Sequence, residues 1–214
     1  MREVKNEKRR RKKKSSGCCL GCLGKLIFFI IIFTFLGYFG YNTFVDLGLD
    51  VKLKQTNYPI RYQQSVSAYA EEFGLEEALV YAIIRTESRF DPYAVSNAGA
   101  KGLMQLTDET AQECAKALKV KNFSANRIFE PDINIRFGCY YLKKLIKKYN
   151  GKTENAVAAY NAGPGNVDKW LKNGALCDEN VKPVNVPFSE TRKYIENVFR
   201  AYNIYKEVYN LGGN

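Results

Sequence analysis

The 214-residue chain contains no histidine. That absence removes several chemistries at once: Ser-His-Asp and Cys-His nucleophilic catalysis, HExxH zinc sites, and proton shuttling by imidazole. Any acid–base work therefore falls to Asp, Glu, Lys or Tyr. No alanine occurs before Ala68, so the small-residue A-x-A-like site that a cleaved signal peptide needs is missing as well. Cysteine is sparse. Cys18, Cys19 and Cys22 precede a long apolar run, and Cys114, Cys139 and Cys177 follow it. Three in the outer part is an odd number and makes no disulfide framework. Cys139 falls within a helical pattern and reads as a small buried residue. The first three lie ahead of the apolar run, whereas a lipoprotein cysteine would follow it. Acylation and metal binding both stay open for them, although three clustered Cys without His make a weak zinc signal. No metal and no cofactor is expected.

What is present is unevenly distributed. The net charge is +11, and the first 25 residues, with ten Lys/Arg against two Glu, carry +8 of it, leaving +3 for the other 189. A basic arm of this kind suits nucleic acid or an anionic membrane surface, and the next segment decides between them. Residues 26–45 hold no charge and open with LIFFIIIFTFLGYFGY. As a helix these twenty residues span about 30 Å, the hydrocarbon thickness of a bilayer, with Tyr38 and Tyr41 toward the far end as interfacial aromatics. The reading is an uncleaved single-pass transmembrane helix. The arm 1–25 is then cytoplasmic and everything after about Asp46 is extracytoplasmic, with the membrane rather than nucleic acid as partner.

Residues 46–60 read as a stalk with a break at Tyr58-Pro59. Beyond it the pattern is helical throughout, with no strand pairing and no internal repeat. Helices are predicted over 61–73, stopped by Gly74, and over 75–88. Thr107-Asp108-Glu109 opens another with a capping residue and two first-turn acids. The longest inner helix covers 131–149, its apolar positions 138, 141, 142, 145, 146 and 149 on one face and Gly151 as its stop. Shorter helices at 153–161 and 166–172 flank Gly163-Pro164-Gly165. After a Pro-containing loop at 182–188, Ser189 is the expected N-cap of a final helix, 190–209. That helix places Tyr194, Ile195, Val198, Phe199, Tyr202 and Tyr205 on one stripe. The expectation is an all-α fold, one globular domain over residues 61–210, large enough for its own core.

One carboxylate breaks the pattern. Leu79, Ile83 and Glu87 fall four apart, with Val80 and Ile84 beside them, so an acid stands where an aliphatic residue is due. A carboxyl held against apolar walls resists ionisation and can donate a proton at neutral pH. On spacing alone, a helix-end Glu turned to solvent is the simpler reading. Three segments in order change that balance: Glu87-Ser88, then Gly102-Leu103-Met104-Gln105, then Ala159-Tyr160-Asn161-Ala162-Gly163. A fourth, Pro187-Phe188-Ser189-Glu190-Thr191-Arg192-x-Tyr194, sets a second acid at a helix start, where it also complements the helix dipole.

From about Arg61 to Tyr209 this ordered set resembles the soluble-type lytic transglycosylases, whose catalytic domain has the goose-type lysozyme-like fold of short helices around a glycan-binding cleft. The resemblance implies a bacterial envelope enzyme. It would cut peptidoglycan between N-acetylmuramic acid and N-acetylglucosamine and leave 1,6-anhydromuramyl ends. It implies Glu87 as the single catalytic acid/base. It implies Ser88, Ser96, Met104, Gln105, Tyr160, Asn161, Glu190 and Tyr194 as residues lining or contacting the sugar site. One departure is visible: family members often follow GLMQ with an apolar residue and Met-Pro, and here Leu106-Thr107-Asp108 follows.

Ordinary glycosidases use two carboxylates. With one, Glu87 would serve first as acid and then as base, the substrate's N-acetyl group stabilising the developing cation and the muramyl 6-hydroxyl closing onto the anomeric carbon. Asp91, four residues on, is the rival second carboxylate, but its Asp-Pro context makes turn formation the better explanation. Tyr93, Tyr140, Tyr141, Tyr160 and Trp170 are candidates for sugar stacking, or for core and groove wall. Two other readings remain: a hydrolytic muramidase of the same fold, and a non-catalytic glycan-binding module docked to proteins of an envelope-spanning machine.

Overall fold

The computed structural model of the chain describes residues 18–174 and 185–211. The arm up to residue 17, Cys177 and the first part of the 182–188 loop lie outside the described residues, as do the side chains of Cys18, Cys19 and Cys22. The chain divides into two compact units, Met1–Asp50 and Val51–Asn214.

The first unit carries α1 (Cys18–Asp46). Within it Leu23–Asp46 is long and apolar enough to cross a membrane, and none of it is buried. Leu26, Phe28, Ile31, Phe33, Phe35, Leu36 and Phe39 are all exposed. Its two threonines return their hydroxyls to the helix backbone, Thr34 to the Ile31 carbonyl and Thr43 to that of Phe39, both at 2.9 Å. A helix apolar on every side, with its hydroxyls satisfied internally, suits lipid better than water. Part of the stretch read as a stalk is helical: α2 runs Leu49–Asn57.

In the second unit the helices are α3 (Gln63–Phe73), α4 (Glu77–Ser88), α5 (Asp108–Ala117), α6 (Pro131–Lys148), α7 (Thr153–Ala162), α8 (Pro164–Lys172) and α9 (Ser189–Tyr209). A 3-10 turn, Ala125–Phe129, precedes α6. Among the described residues there is no strand, only isolated bridges pairing Val95 with Lys101 and Lys101 with Leu106. The punctuation acts as the sequence reading expects in most places. Gly74 ends α3 in the left-handed region (φ 58°), and Thr107 caps α5 by accepting from the Thr110 N–H. Several boundaries shift by one or two residues, and at two of them a residue changes its role. Pro164 is the first residue of α8 rather than part of the preceding loop, because its missing N–H costs nothing at a helix start. Phe188, not Ser189, stands at the N-cap of α9, and no side chain caps it.

The core forms around α4, which is buried from Ala78 to Ile84. It packs on α3 and along α9, while α6 packs against α3, α5 and α7. The α9 stripe presents Tyr194, Ile195, Val198 and Tyr205 to this core, and Tyr81 of α4 stacks on Tyr205 (centroids 5.4 Å apart). Phe199 and Tyr202 are only partly buried. Cys139 is fully buried as its pattern predicts, and Cys114 is buried too, its thiol pushed up to about 12 by burial. A smaller cluster gathers Leu106, Ala111, Cys114, Ile128 and Phe137 under α5. α4 is thus the central rod of the domain, and the groups at its C-terminal end inherit a rigid support.

Candidate active site

Glu87 lies in the last turn of α4, three residues after the buried stretch Ala78–Ile84 ends. It is half-buried. Its Oε1 accepts a 2.6 Å hydrogen bond from the Tyr194 hydroxyl on α9. Burial pushes the carboxyl from its ordinary 4.5 up to about 7, and the Tyr194 bond opposes that shift by favouring the ionised form. Tyr194 and Tyr160 are themselves held well above the ordinary phenol range, by burial and then by the nearby Glu87 charge. Both therefore stay protonated: Tyr194 donates to the Glu87 carboxylate, while Tyr160 spends its proton on the Met104 carbonyl. The group is poised where one carboxyl can be acid in one step and base in the next.

Ser88 fastens the helix end to the second motif. Its hydroxyl lies 2.8 Å from the Leu103 carbonyl and 3.1 Å from that of Ile84, and accepts from the Phe90 N–H. The chain then turns through two successive left-handed residues, Arg89 (φ 52°) and Phe90 (φ 67°). An aromatic residue there is strained. Burial of Phe90 against Tyr81, with ring centroids 6.3 Å apart, offsets the strain.

The Gly102–Gln105 turn is held from below by Asn134 of α6, which no sequence argument above identified. Its Oδ1 accepts from the Met104 N–H (2.7 Å), and its Nδ2 donates to the Lys101 and Ile128 carbonyls (3.0 and 2.8 Å). Gly102 (φ 77°) has no room for a side chain: a Cβ would lie 2.3 Å from Asn134 Nδ2 and 2.9 Å from the Ile128 oxygen. Gly138, one turn further along α6, admits Met104, whose Sδ would be 2.2 Å from a Cβ there. The available signal was register. Asn134 precedes 138, 142 and 145 on the buried face of α6, a polar residue on an apolar stripe much as Glu87 is.

Placed in this frame, the predicted residues separate into two groups. Met104 is fully buried, and its carbonyl accepts from the Tyr160 hydroxyl of α7 at 2.9 Å. Gln105 (φ 47°) donates through its side-chain amide to the Ala94 and Gly102 carbonyls. Ser96 accepts from the Ala100 N–H within the same loop. Glu87, Ser88, Met104, Gln105, Tyr160 and Tyr194 thus form one bonded frame linking α4, the turn, α7 and α9. Asn161 and Glu190 belong elsewhere. They line a cleft of about 590 Å³ with Ala162, Pro187, Phe188, Ser189 and Thr191. Arg192 props this wall by donating to the Val186 carbonyl at 2.7 Å. Asp91 is exposed and accepts from the Tyr93 N–H at 2.9 Å, as a turn-forming aspartate does. Of the aromatic candidates, Tyr93 is 74% exposed. Tyr141 and Tyr160 lie against each other (5.4 Å), as do Trp170 and Phe188 (5.0 Å).

Comparison with known proteins gives a consistent set of likenesses. Residues 64–180, more than half of the chain, match the transglycosylase SLT domain family. The chain is 35% identical over 153 residues to the soluble lytic murein transglycosylase of Salmonella typhimurium, covering 71% of this chain and 24% of that protein. It is 35% identical over 167 residues to membrane-bound lytic murein transglycosylase C of Yersinia enterocolitica, covering 68% of this chain and 47% of that protein. Among solved structures, an inactive mutant of lytic transglycosylase Slt from Pseudomonas aeruginosa superposes with a TM-score of 0.65 at 34% identity, over 73% of this chain and 25% of that one. The Escherichia coli 70-kDa soluble lytic transglycosylase gives 0.66 at 31%, over 72% and 25%. The all-helical domain therefore has the fold of these enzymes, and the chain spans about a quarter of the length of the soluble relatives.

Proposed function

Because the chain belongs to the transglycosylase SLT domain family, we propose that the domain over residues 61–210 is a peptidoglycan lytic transglycosylase. Its substrate is the glycan strand, cut at the β-1,4 bond between N-acetylmuramic acid and N-acetylglucosamine. The observation that carries this reading is Glu87: a lone carboxyl on a buried helix, poised near neutrality, with a phenol hydroxyl as its hydrogen-bond donor.

Protonated Glu87 donates to the glycosidic oxygen as the bond to the muramyl anomeric carbon breaks. The substrate's N-acetyl oxygen stabilises the cation that develops. Ionised Glu87, now holding the Tyr194 bond at full strength, takes the proton of the muramyl 6-hydroxyl. That oxygen closes onto the anomeric carbon, and the carboxyl is regenerated. The tethered hydroxyl outcompetes water through its effective concentration. Tyr160 and Ser88 hold the 102–105 turn against the acid, and Gln105 and Ser96 shape the loop above it. Asn161 and Glu190 contact sugar from the neighbouring cleft. Residues 26–45 anchor the enzyme in the bacterial membrane, with the arm 1–25 cytoplasmic and the catalytic domain extracytoplasmic. The length and composition of α1 support this arrangement.

The test is product analysis. Purified peptidoglycan is digested with the wild-type chain and with Glu87→Gln, and the products are resolved by mass spectrometry. Wild type should release muropeptides with anhydro ends, one water lighter than reducing ends, and Glu87→Gln should release few or none. Reducing ends from wild type would instead identify a hydrolytic muramidase. Undiminished cleavage by Glu87→Gln would remove Glu87 from the mechanism.

A further inference from the structure

A second polar cavity shares no residue with the frame around Glu87. It holds about 260 Å³ and is lined by Tyr58, Arg85, Thr86, Arg89, Asn197 and Arg200. Three guanidiniums face one small space, and no acidic residue lines it. Among the described residues none of the three forms an ion pair, although seven other cation–carboxylate pairs occur. Like charges gathered without a counter-charge repel, and an anion between them would relieve that repulsion.

The arginines come from rigid supports. Arg85 donates through Nε to the Asn57 carbonyl (2.9 Å) and lies over the Tyr58 ring, its Cζ 3.8 Å from the centroid. That leaves the terminal N–H groups of a preoriented guanidinium to face the cavity. Arg89 is fixed by its left-handed backbone at the C-cap of α4, and Arg200 stands one turn after Asn197 on α9. Thr86 spends its hydroxyl on the Ala82 carbonyl, and among the other neutral lining residues, Tyr58 and Asn197, the Asn197 amide offers two N–H donors. A carboxylate accepts one guanidinium fork well. A tetrahedral oxyanion offers three or four oxygens to forks arriving from different directions.

We infer that this cavity binds a phosphate ester, through Arg85, Arg89 and Arg200 with Asn197 as neutral donor. Such a group is carried by anionic phospholipid headgroups and by soluble or polymer-borne phosphoesters. The inference does not depend on the cleavage chemistry at Glu87, and its readout is binding alone.

The full chain in maltoside micelles is titrated calorimetrically with inorganic phosphate, at ionic strength matched with chloride. Saturable binding is expected, and Arg89→Gln and Arg200→Gln should each weaken it about tenfold, the scale of one charge-assisted hydrogen-bond pair. Both side chains are exposed, so thermal unfolding should be unchanged and a folding defect is excluded by that measurement. Competition separates the two sources. Phosphatidylglycerol in the micelle displacing phosphate better than matched glycerol phosphate assigns the site to a lipid headgroup. Equal displacement assigns it to a soluble or polymer-borne phosphoester. Absence of saturable binding, or binding unaltered in both variants, overturns the proposal.

Discussion

Glu87 and Glu190 stand at two walls of the same domain and are held in opposite ways. Glu87 ends a helix whose preceding two turns are buried. One phenol bonds it, and the turn beneath it is fixed by Asn134, Ser88 and Tyr160. Glu190 begins α9, exposed, on a wall held by a loop and by Arg192. Burial raises the proton affinity of the first carboxyl. The second keeps its solvent and can meet a ligand without an electrostatic penalty. The difference teaches a division of labour. Proton transfer needs a desolvated carboxyl on a stiff support, whereas recognition needs an accessible one.

The strongest way to break this contrast is to neutralise each acid in turn. Glu87→Gln should reduce glycan cleavage by about 10²–10⁴-fold, the usual contribution of one positioned proton-transfer group. Glu190→Gln should act mainly through KM, with a loss of about tenfold or less for one exposed contact. Steady-state kinetics on purified glycan strands separates the two. Equal losses would erase the distinction.

The support beneath Glu87 offers the next test. Gly102→Ala needs a left-handed backbone and meets Asn134 and the Ile128 carbonyl at once. It should destabilise the domain by about 3 kcal/mol or more. Gly138→Ala meets Met104 at its Sδ (2.2 Å) and also at its Cβ (2.8 Å) and should cost about 1–3 kcal/mol. Denaturant unfolding measures both. The order Gly102 above Gly138 follows from the left-handed backbone and the Ile128 carbonyl that Gly102 alone has to contend with.

Protonation gives a third. In the native state Glu87 titrates near 7 rather than 4.5, so the folded chain holds the extra proton between those values. Its contribution to stability is fully present below about pH 4.5 and is lost as the pH rises through about 7. Glu87→Gln has no such loss. It should match wild type in melting near pH 4.5 and exceed it at pH 8 by on the order of 2–3 kcal/mol. The smallest effect is expected at Tyr194→Phe. Removing the bond that favours the ionised form should raise the Glu87 pKa by about one unit and shift the alkaline limb of the rate profile upward. It should leave the fold intact, because Tyr194 stays an apolar core ring.

Much of this was legible in the sequence, for physical reasons. The helices announced themselves through Gly74, Thr107, Pro131 and Gly151, because caps and stops are local chemistry. Glu87 was visible because an acid on an apolar stripe violates a strong periodicity. Asn134 violates the same kind of periodicity on α6 and passed unnoticed, because no motif drew attention to it. Its partners lie 30 and 33 residues away at Met104 and Lys101. The inward use of Gln105 and Ser88 was equally hidden. Motif spacing shows which residues cluster but not which polar atoms are already bonded to the backbone. The helix at Leu49–Asn57 escaped because, with no buried residue, it lacks the apolar stripe that periodicity detects.

The central claim is that burial holds one carboxyl at a proton affinity suited to both halves of the reaction. Carbon-13 NMR of the glutamate carboxyls in the full chain, with Glu87→Gln to assign the resonance, measures it directly. The account predicts a Glu87 midpoint near 7. A midpoint at the ordinary 4.5 would contradict it.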